Sequence, residues 1–490
     1  MTYFSDLVKK HGIDNNLNTS IAVFAGKVTA KAIRMLGAGL GSNLPGRISR
    51  KVAPAVLQQL SQQARLGVLA VTGTNGKSTT SGLLSSILRM AGFSLVHNRQ
   101  GANLVTGITA SLVDAATWNG KLDADYCLFE IDEAALPVIA NEVKLSTVLV
   151  TNLFRDQLDR FGELDTTAKL IANGIKKNHS KAILNADDPN VSQLAPESQR
   201  VFFGIESVTS LAAASSSSTA EATNIAGDTD TSGSTISAND RELSYCGVCG
   251  GAIEYTVFFY GQLGHWRCCQ CDYKRPEPKI VARDVEVTAT HSTFMLSIEG
   301  RTIDVHVPLP GLFNLYNALA AAATAHESGV SLEAIRQGLK HYKTLFGRGE
   351  KLTIDEKPVL IQLIKNPAGA SQAVSAVVSD PNARILIAIN DNLADGRDIS
   401  WLWDADFEQL APHRKPIVVA GQRAEDMAVR MKYAGMPADL IQTTAKLDRA
   451  IDQALAMVQP GETLWILPTY TCLLELQKIL RTKGHILSGT

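Results

Sequence analysis

The sequence predicts a two-part α/β chain: a large domain built on a parallel sheet and carrying an inserted cysteine ribbon, then a smaller Rossmann-like α/β domain. Three observations predict it. From about residue 66, short β-rich runs alternate with helix-length stretches in the order LGVLAVTG, STTSGLLSSILRMAG, YCLFEID, VKLSTVLVTNL, KKNHSKAILNADD; strands separated by helices imply a parallel sheet. Five of the seven cysteines fall between Cys246 and Cys271. After FGRGEKL (346–352) a second series starts, PVLIQLIKN, ARILIAIN, PIVVAG and TLWILPTY, each run followed by a helical pattern.

In chain order, residues 1–50 read as a helical segment, 51–348 as a central phosphate-binding domain and 349–490 as a C-terminal α/β domain. Within the first, SIAVFAGKVTAKAIRMLGAGL (20–40) has the pattern of an amphipathic helix, which docks on the core or, in the other reading, lies on a membrane surface. In the second, residues 207–240 are rich in Ser, Thr, Ala and Gly and contain no Phe, Tyr or Trp. Such a stretch cannot bury enough apolar area to offset its ordering entropy and reads as a disordered insertion. The ribbon occupies 244–276, a β-rich stretch follows over 280–311, and NLYNALAAAATAHESG is a helix ended by glycine.

Hydrophobic residues make up 45% and charged residues 19% of the 490 residues, the balance of a soluble chain with room for two or three cores. A net charge of −1 leaves no excess of cations to displace counterions from nucleic acid, which excludes a general polyanion binder. The N-terminus lacks the basic flank, apolar run and cleavage site of a signal peptide, and no run of 18 apolar residues occurs. Neither secretion nor a transmembrane span is expected. The expected location is the cytoplasm, with peripheral attachment at the inner face of the membrane as a further option.

AVTGTNGKSTT (70–80) sits between an apolar strand and an apolar-periodic helix, the context a phosphate loop needs. Gly73 and Gly76 let the amides of Thr74, Asn75 and their neighbours turn toward phosphate oxygens. Lys77 reaches the outer phosphates, the Ser78 hydroxyl suits Mg²⁺, and Ser78 and Thr79 open the helix that faces the negative charge. Val71 stands where the general phosphate-loop pattern has its first glycine. ATP and Mg²⁺ are the expected ligands. Cys246, Cys249, Cys268 and Cys271 have the spacing of two knuckles that supply four thiolates to Zn²⁺; Cys269 is left over. Tyr245, Trp266 and Tyr273 are expected to pack this ribbon. A redox Cys-x-x-Cys pair and a nucleic-acid-reading ribbon are the alternatives, the latter disfavoured by the few cations between the knuckles. Finally, NDNLADGRDISWLWD (390–404) concentrates Asp391, Asp395, Asp398 and Asp404 with Trp401 and Trp403. It reads as a solvated loop or as a partner surface with aromatic anchors.

TGTNGKST resembles the ATP signature of the Mur ligase family, and the resemblance extends over about residues 50–490. QGANLVTGI (100–108) is similar to the family's segment beside the γ-phosphate, which implies that role for Asn103. FEIDEAALP (129–137) resembles its acidic strand end, implying Glu130 as a Mg²⁺ ligand. TNLFRDQLDRFGE (151–163), LNADDP (184–189), PGLFNLYNALAAA (310–322) and FGRGE (346–350) follow in the family's order. They imply that Asn314 or Asn317 approaches the adenine and that Arg348 lies near the domain junction. The departures are specific. Gln157 replaces a metal-binding histidine, Ile171 stands where many members carry a carbamylated lysine (Lys169 is two positions away), and QLIKNP (362–367) gains Lys365 in place of an acidic contact. Only about 65 residues precede the phosphate loop, so the usual UDP-binding domain is not expected.

The short N-terminus, the ribbon and the ending LPTYTCLLEL (467–476) resemble one branch of that family, the ligase subunits of lipid II isoglutaminyl synthase. These work with a GatD-type glutaminase. The resemblance implies ATP-dependent amidation of the D-glutamate α-carboxyl of lipid II through an acyl phosphate, with Lys77 and Glu130 at the transferring phosphoryl group and ammonia from the partner. Neither Cys127, inside a strand, nor Cys472, in a terminal helix, has the setting of a glutaminase nucleophile. The resemblance also implies that an aspartate of the 390–404 loop completes the partner's Cys–His pair; Asp398 is the first candidate and Asp395 the second. The competing readings are an amino-acid-adding Mur or folylpolyglutamate-type ligase and a non-catalytic ATP-binding scaffold.

Overall fold

The computed structural model describes residues 15–35, 43–98, 101–154, 164–211, 245–288, 290–344 and 347–485. Its larger sheet contains β1 (Gly67–Thr72), β2 (Leu95–His97), β3 (Tyr126–Glu130), β4 (Thr147–Val150), β5 (Lys181–Asn185), β6 (Arg200–Ile205) and β7 (Val208–Leu211). The hairpin β8 (Ile253–Tyr260) and β9 (Leu263–Cys268) stands apart, and β10 (Ile280–Val287), β11 (Ser292–Ile298) and β12 (Arg301–Val307) return to the sheet. The order is β12-β11-β10-β6-β5-β4-β1-β3-β2, with β7 beside β10. β1 pairs in parallel with both β3 and β4. The chain runs to one side of β1 and then to the other, which opens a crevice at its C-terminal end.

Alternation along β1 shows why the strand is apolar throughout. Leu69 and Val71 join one buried cluster, while Val68 and Ala70 join another, as expected where helices cover both faces of a parallel sheet. Cys127 lies within β3, and burial pushes its thiol up to about 12. Cys472 is also buried and pushed up to about 12 by burial. Both are inert thiols.

A second sheet follows: β13 (Arg348–Ile354), β14 (Lys357–Gln362), β15 (Ala383–Ala388), β16 (Ile417–Ala420), β17 (Ile441–Thr444) and β18 (Thr463–Pro468), in the order β13-β14-β18-β15-β16-β17. Four of these strands match apolar runs in the sequence. β17, IQTT, is too polar and too exposed at the sheet edge to announce itself.

The helices that matter below are α1 (Asn15–Met35), α2 (Leu44–Val52), α3 (Lys77–Met90), α4 (Val105–Ala115), α5 (Leu312–Glu327), α6 (Pro367–Val378), α7 (Trp401–Asp404) and α8 (Tyr470–Thr482). Helix α1 starts five residues earlier than the 20–40 pattern suggests, and the part of that pattern beyond Met35 lies outside the described residues. Among the described residues no helix is long and apolar enough to cross a membrane. The disordered reading of 207–240 needs one correction: Val208–Leu211 forms β7, because β10 offers it a parallel partner. The remainder of that segment lies outside the described residues.

The N-terminal helices meet the central domain through glycines. A Cβ on Gly46 of α2 would stand 1.9 Å from the Thr106 carbonyl oxygen, and one on Gly26 of α1 would stand 2.2 Å from Ser49 Oγ. Backbone on the far side cannot yield as a flexible side chain would. Gly46→Ala is therefore expected to cost about 1–3 kcal/mol through overpacking, read as a lower denaturant midpoint with an unchanged slope.

Candidate active site

The phosphate loop leaves β1 at the crevice in a conformation that two glycines make possible. Gly73 has φ +119° and would carry a Cβ 2.4 Å from Thr151 Oγ1; Gly76 has φ +82° and would carry one 2.0 Å from Asn317 Oδ1. No L side chain suits either position. The segment after β4 holds the loop. Asn75 N–H donates to Asn152 Oδ1 at 2.9 Å, Asn152 Nδ2 donates to the Asn75 carbonyl at 3.1 Å, and Thr151 Oγ1 donates to the same carbonyl at 2.7 Å. Thr74 Oγ1 bridges the backbone of Phe154. Thr151 and Asn152 are thus the loop's clamp, a role the sequence reading did not give them; their adjacency to the end of a strand beside β1 was the available signal. Gln157 lies outside the described residues.

Glu130 ends β3 directly beside Val71. Asn98 fixes that end, its amide nitrogen donating to the Glu130 carbonyl at 2.8 Å while its oxygen accepts the Glu130 N–H at 2.8 Å. Asn103 is tied to the same turn through its carbonyl, which accepts the Asp132 N–H at 3.1 Å. Glu130, Asp132 and Glu133 all line the cavity. Lys77 Nζ pairs with Glu133 Oε1 at 2.7 Å and donates to the carbonyls of Gly73 and Thr74 at 2.5 and 3.2 Å. Burial acts to lower the lysine pKa, but Glu133 and the charges of Glu130 and Asp132 outweigh it and the pKa is raised. The ammonium is therefore held charged. Glu130, Asp132 and Glu133 line the cavity together with the buried Ser78 hydroxyl and are oxygen donors of the type a hard divalent cation takes, although among the described residues their carboxylates do not gather into one ligand group as the four cysteines do.

The cavity is about 350 Å³ and spans both sheets, with Gln362, Lys365, Asp395 and Tyr470 on the far wall. One side-chain pair crosses directly: Asn366 Nδ2 donates to Asn75 Oδ1 at 2.9 Å. The Asn366 oxygen also caps α6 by accepting the Gly369 N–H at 2.9 Å. Asn317 presses on Gly76 and accepts from Thr80 Oγ1 at 3.1 Å; its own amide donates to Asn314 at 3.3 Å, and both asparagines reach the cavity. Arg348 opens β13 opposite Gln362 at the junction of the two sheets; its side chain lies outside the described portion. Ile171 is buried in an apolar cluster with Leu136 and Ile175 and does not line the cavity.

No residue of LNADDP (184–189), whose resemblance implies a nucleotide-side loop, lines the cavity. Asp187 is buried against Arg275 at 2.6 Å and the Tyr316 hydroxyl at 2.7 Å. Asp188 accepts from Leu153 N–H and Gln262, and burial pushes it up to about 7. These acids fasten the ribbon. Trp266 Nε1 donates to the Ala186 carbonyl at 3.1 Å, its ring lies 4.8 Å from that of Tyr273, and Tyr273 meets Ser192 at 2.7 Å. Tyr245 does not share in this packing, being 60% exposed at the ribbon's entry. The tip of the β8–β9 hairpin reaches the active cavity, where Tyr260 stacks on Phe154 with centroids 5.8 Å apart. The sulfurs of Cys246, Cys249, Cys268 and Cys271 lie within 4.8 Å of one another. Two pairs stand at 3.6 and 3.5 Å, near the edge of about 3.8 Å that a tetrahedron of 2.3 Å zinc–sulfur bonds requires. Gly251 and Gln270 N–H groups donate to Cys249 and Cys268 sulfurs, as thiolates need. Cys269 is exposed and outside the cluster.

In the acidic loop the aspartates diverge. Asp395 is buried on the cavity side, accepting Thr471 N–H at 2.7 Å and Asn392 N–H at 3.2 Å, and burial raises its pKa. Asp398 lies outside, where a hydrogen bond from Ser400 holds its carboxyl below the usual range. The tryptophans separate as well. Trp401 is buried in the C-terminal core and is not a surface anchor; Trp403 is 53% exposed, edge-on to the exposed Tyr433 at 5.6 Å.

Comparison with known proteins gives consistent matches. The family described as Mur ligase middle domain matches residues 71–247 and 239–325, and the family described as MurT ligase C-terminal matches residues 363–473. The chain is 35% identical over 457 residues, 92% of its length and 95% of the relative's, to the lipid II isoglutaminyl synthase (glutamine-hydrolyzing) subunit MurT of Staphylococcus aureus (strain N315). It is 33% identical over 472 residues, 96% and 98% of the two chains, to the protein of the same name from Streptococcus pneumoniae (strain ATCC BAA-255 / R6). Among solved structures, a pseudomurein peptide ligase type C from Methanothermus fervidus superposes with a TM-score of 0.65 at 23% identity, over 86% of this chain and 80% of that one.

Proposed function

We propose that this chain, which belongs to the MurT family of Mur-type ligases, is the ligase subunit of a lipid II isoglutaminyl synthase. It amidates the D-glutamate α-carboxyl of the lipid II stem peptide at the expense of ATP. The observation that carries the reading is the cavity between the sheets, in which a phosphate loop, a charged lysine and three carboxylates converge. A substrate carboxylate oxygen attacks the γ-phosphorus, ADP leaves, and an acyl phosphate results. Ammonia then attacks the acyl carbon, phosphate departs, and the nitrogen loses a proton. Loop amides, Lys77 and the N-terminus of α3 stabilise the negative charge of the transferring phosphoryl group. Glu130, Ser78 and the neighbouring acids would hold Mg²⁺, which supplies charge neutralisation at the β- and γ-phosphates when bound. Asn103 and Arg348 serve the nucleotide, and Asn317 fixes the loop on which it sits.

The far-side Lys365 and the absence of a buried lysine at 171 favour amidation over amino-acid addition. Ammonia is mostly protonated near neutral pH, so a glutaminase of the GatD type delivers it in place. Asp398, half-buried in the loop that also carries the exposed Leu393 and leads into the exposed Trp403, completes that partner's catalytic Cys–His pair. The test is co-purification with a GatD-type protein and an assay of ADP release. Release that needs both glutamine and lipid II supports the reading; release with a free amino acid and no partner favours an amino-acid-adding ligase.

The four-cysteine cluster holds Zn²⁺ as a closed structural site. Cys249→Ser combined with Cys268→Ser is expected to take zinc content from one per chain to near zero by atomic absorption. It is also expected to lower the thermal midpoint, since metal binding and ribbon folding are coupled. Nucleotide binding should weaken with it, because Tyr260 leaves its place on Phe154.

A further inference from the structure

We infer that the outward face of α1 is a docking surface for an anionic lipid bilayer. The inference deepens the functional reading, since a lipid-linked substrate must be met at a membrane, but it stands on its own observations. Helix α1 is held to the protein by one face: Thr19, Ala22, Val23 and Gly26 are buried, and the glycine lets it lie against α2. At 100° per residue the opposite face carries Leu17, Ile21, Phe24 and Val28, each 46–57% exposed, and Met35 beyond them at 80%. Trp118 extends this stripe. It is 56% exposed and tilted against Phe24 with centroids 5.7 Å apart, and its turn is tied to α1 by Ser20 Oγ donating to the Asn119 carbonyl at 2.8 Å.

Cations flank the stripe. Lys27 lies 5.7 Å from the centre of the Trp118 ring, and Lys31 follows one turn on. Arg47 and Lys51 are exposed on the adjoining α2. The sequence of the two helices carries the same bias: residues 15–52 hold six lysines and arginines and no Asp or Glu, although the whole chain sums to −1. An apolar stripe rimmed by lysines, with a tryptophan at its border, is the arrangement of a helix lying in the headgroup region of a negatively charged membrane. Asp114 borders the patch, its carbonyl accepting from Lys27 Nζ at 2.8 Å; Lys27, Lys31, Arg47 and Lys51 outnumber that carboxylate, and the positive balance is why a surface of anionic headgroups is the occupant the charges select.

The experiment is flotation of the full chain, with its glutaminase partner, on vesicles of phosphatidylglycerol and phosphatidylcholine against vesicles of phosphatidylcholine alone. Binding to the anionic vesicles only, weakened about tenfold or more by Lys27→Glu with Lys31→Glu and similarly by Phe24→Ser with Val28→Ser, is the expected result. Lys31 is exposed, so Lys31→Glu alone keeps its thermal midpoint and reports on binding, while Lys27 also donates to the Asp114 carbonyl at 2.8 Å and the midpoint of the double variant is read beside its flotation. Equal binding to both vesicle types, no flotation, or variants that float like the parent would overturn the inference. So would concentration-dependent self-association that the serine variant abolishes, which would assign the stripe to a second copy. None of these outcomes bears on ADP release with a soluble, short-chain lipid II analogue, which tests the amidation reading separately and should be unchanged in both variants.

Discussion

Lys77→Ala is expected to lower glutamine- and lipid II-dependent ADP release by about 10²–10³-fold, the usual loss when one preorganised group at a developing charge is removed. The structure explains why substitution cannot be compensated nearby. Lys77 is the cation that the three acids Glu130, Asp132 and Glu133 surround, and no water-exposed lysine can enter that buried position. Its raised pKa has a consequence for pH. A lysine whose folded pKa lies above its unfolded value contributes stability throughout the neutral range and loses it only as pH rises through the folded value. The alkaline limb of the ADP-release profile should therefore not come from Lys77. In the alanine variant Glu133, itself buried, is left without its partner, so a lower thermal midpoint accompanies the loss of rate. Lys77→Arg keeps the charge but not the compact shape, and is expected to restore stability before it restores turnover.

Asp398→Asn is expected to reduce glutaminase activity of the complex by about 10³–10⁴-fold, as when the orienting carboxylate of a nucleophile–histidine pair becomes an amide, while ATP binding by this chain stays as it was. The isosteric side chain still accepts the Ser400 N–H, so the loop keeps its shape. The pKa of Asp398 lies below the ordinary carboxylate range, so it is ionised wherever the glutaminase works. Asp395→Asn separates the two candidates. Asp395 is occupied by Thr471 and Asn392 on the cavity side, and its substitution should loosen the junction and weaken nucleotide binding while sparing hydrolysis of glutamine.

Strands β1, β3, β4 and β5 of the larger sheet and β14, β15, β16 and β18 of the smaller were legible because buried parallel strands leave continuous apolar runs, whereas the polar edge strand β17 was not; the phosphate loop was legible because two glycines and a lysine sit between a strand and a helix. The clamp formed by Thr151 and Asn152 was not, because a Thr-Asn pair after a strand is as common in plain turns. Asn366 and Asn75 meet across 291 positions of sequence, and no local pattern encodes such a pairing. Trp401 and Trp403 show the limit most simply. Two residues apart in one short helix, they fall on different faces, and only the packing of α7 on the C-terminal core decides that the first is buried and the second is not. The four cysteines announced a metal site through spacing, yet the reach of the same hairpin to the cavity between the sheets through Tyr260 depends on how Asp187 and Asp188 fasten it.

The central claim is that nitrogen moves from glutamine, through a partner subunit, onto the lipid II carboxyl activated in this chain's cavity. The most direct measurement supplies the purified complex with ATP and with glutamine bearing a heavy isotope at its amide nitrogen, then examines the lipid II product by mass spectrometry. The account predicts that the label appears in the D-glutamate α-carboxamide, with one ADP formed per amide, and that Lys77→Ala and Asp398→Asn each prevent it. An unlabelled product, or lipid II returned unchanged while ATP is consumed, would contradict it.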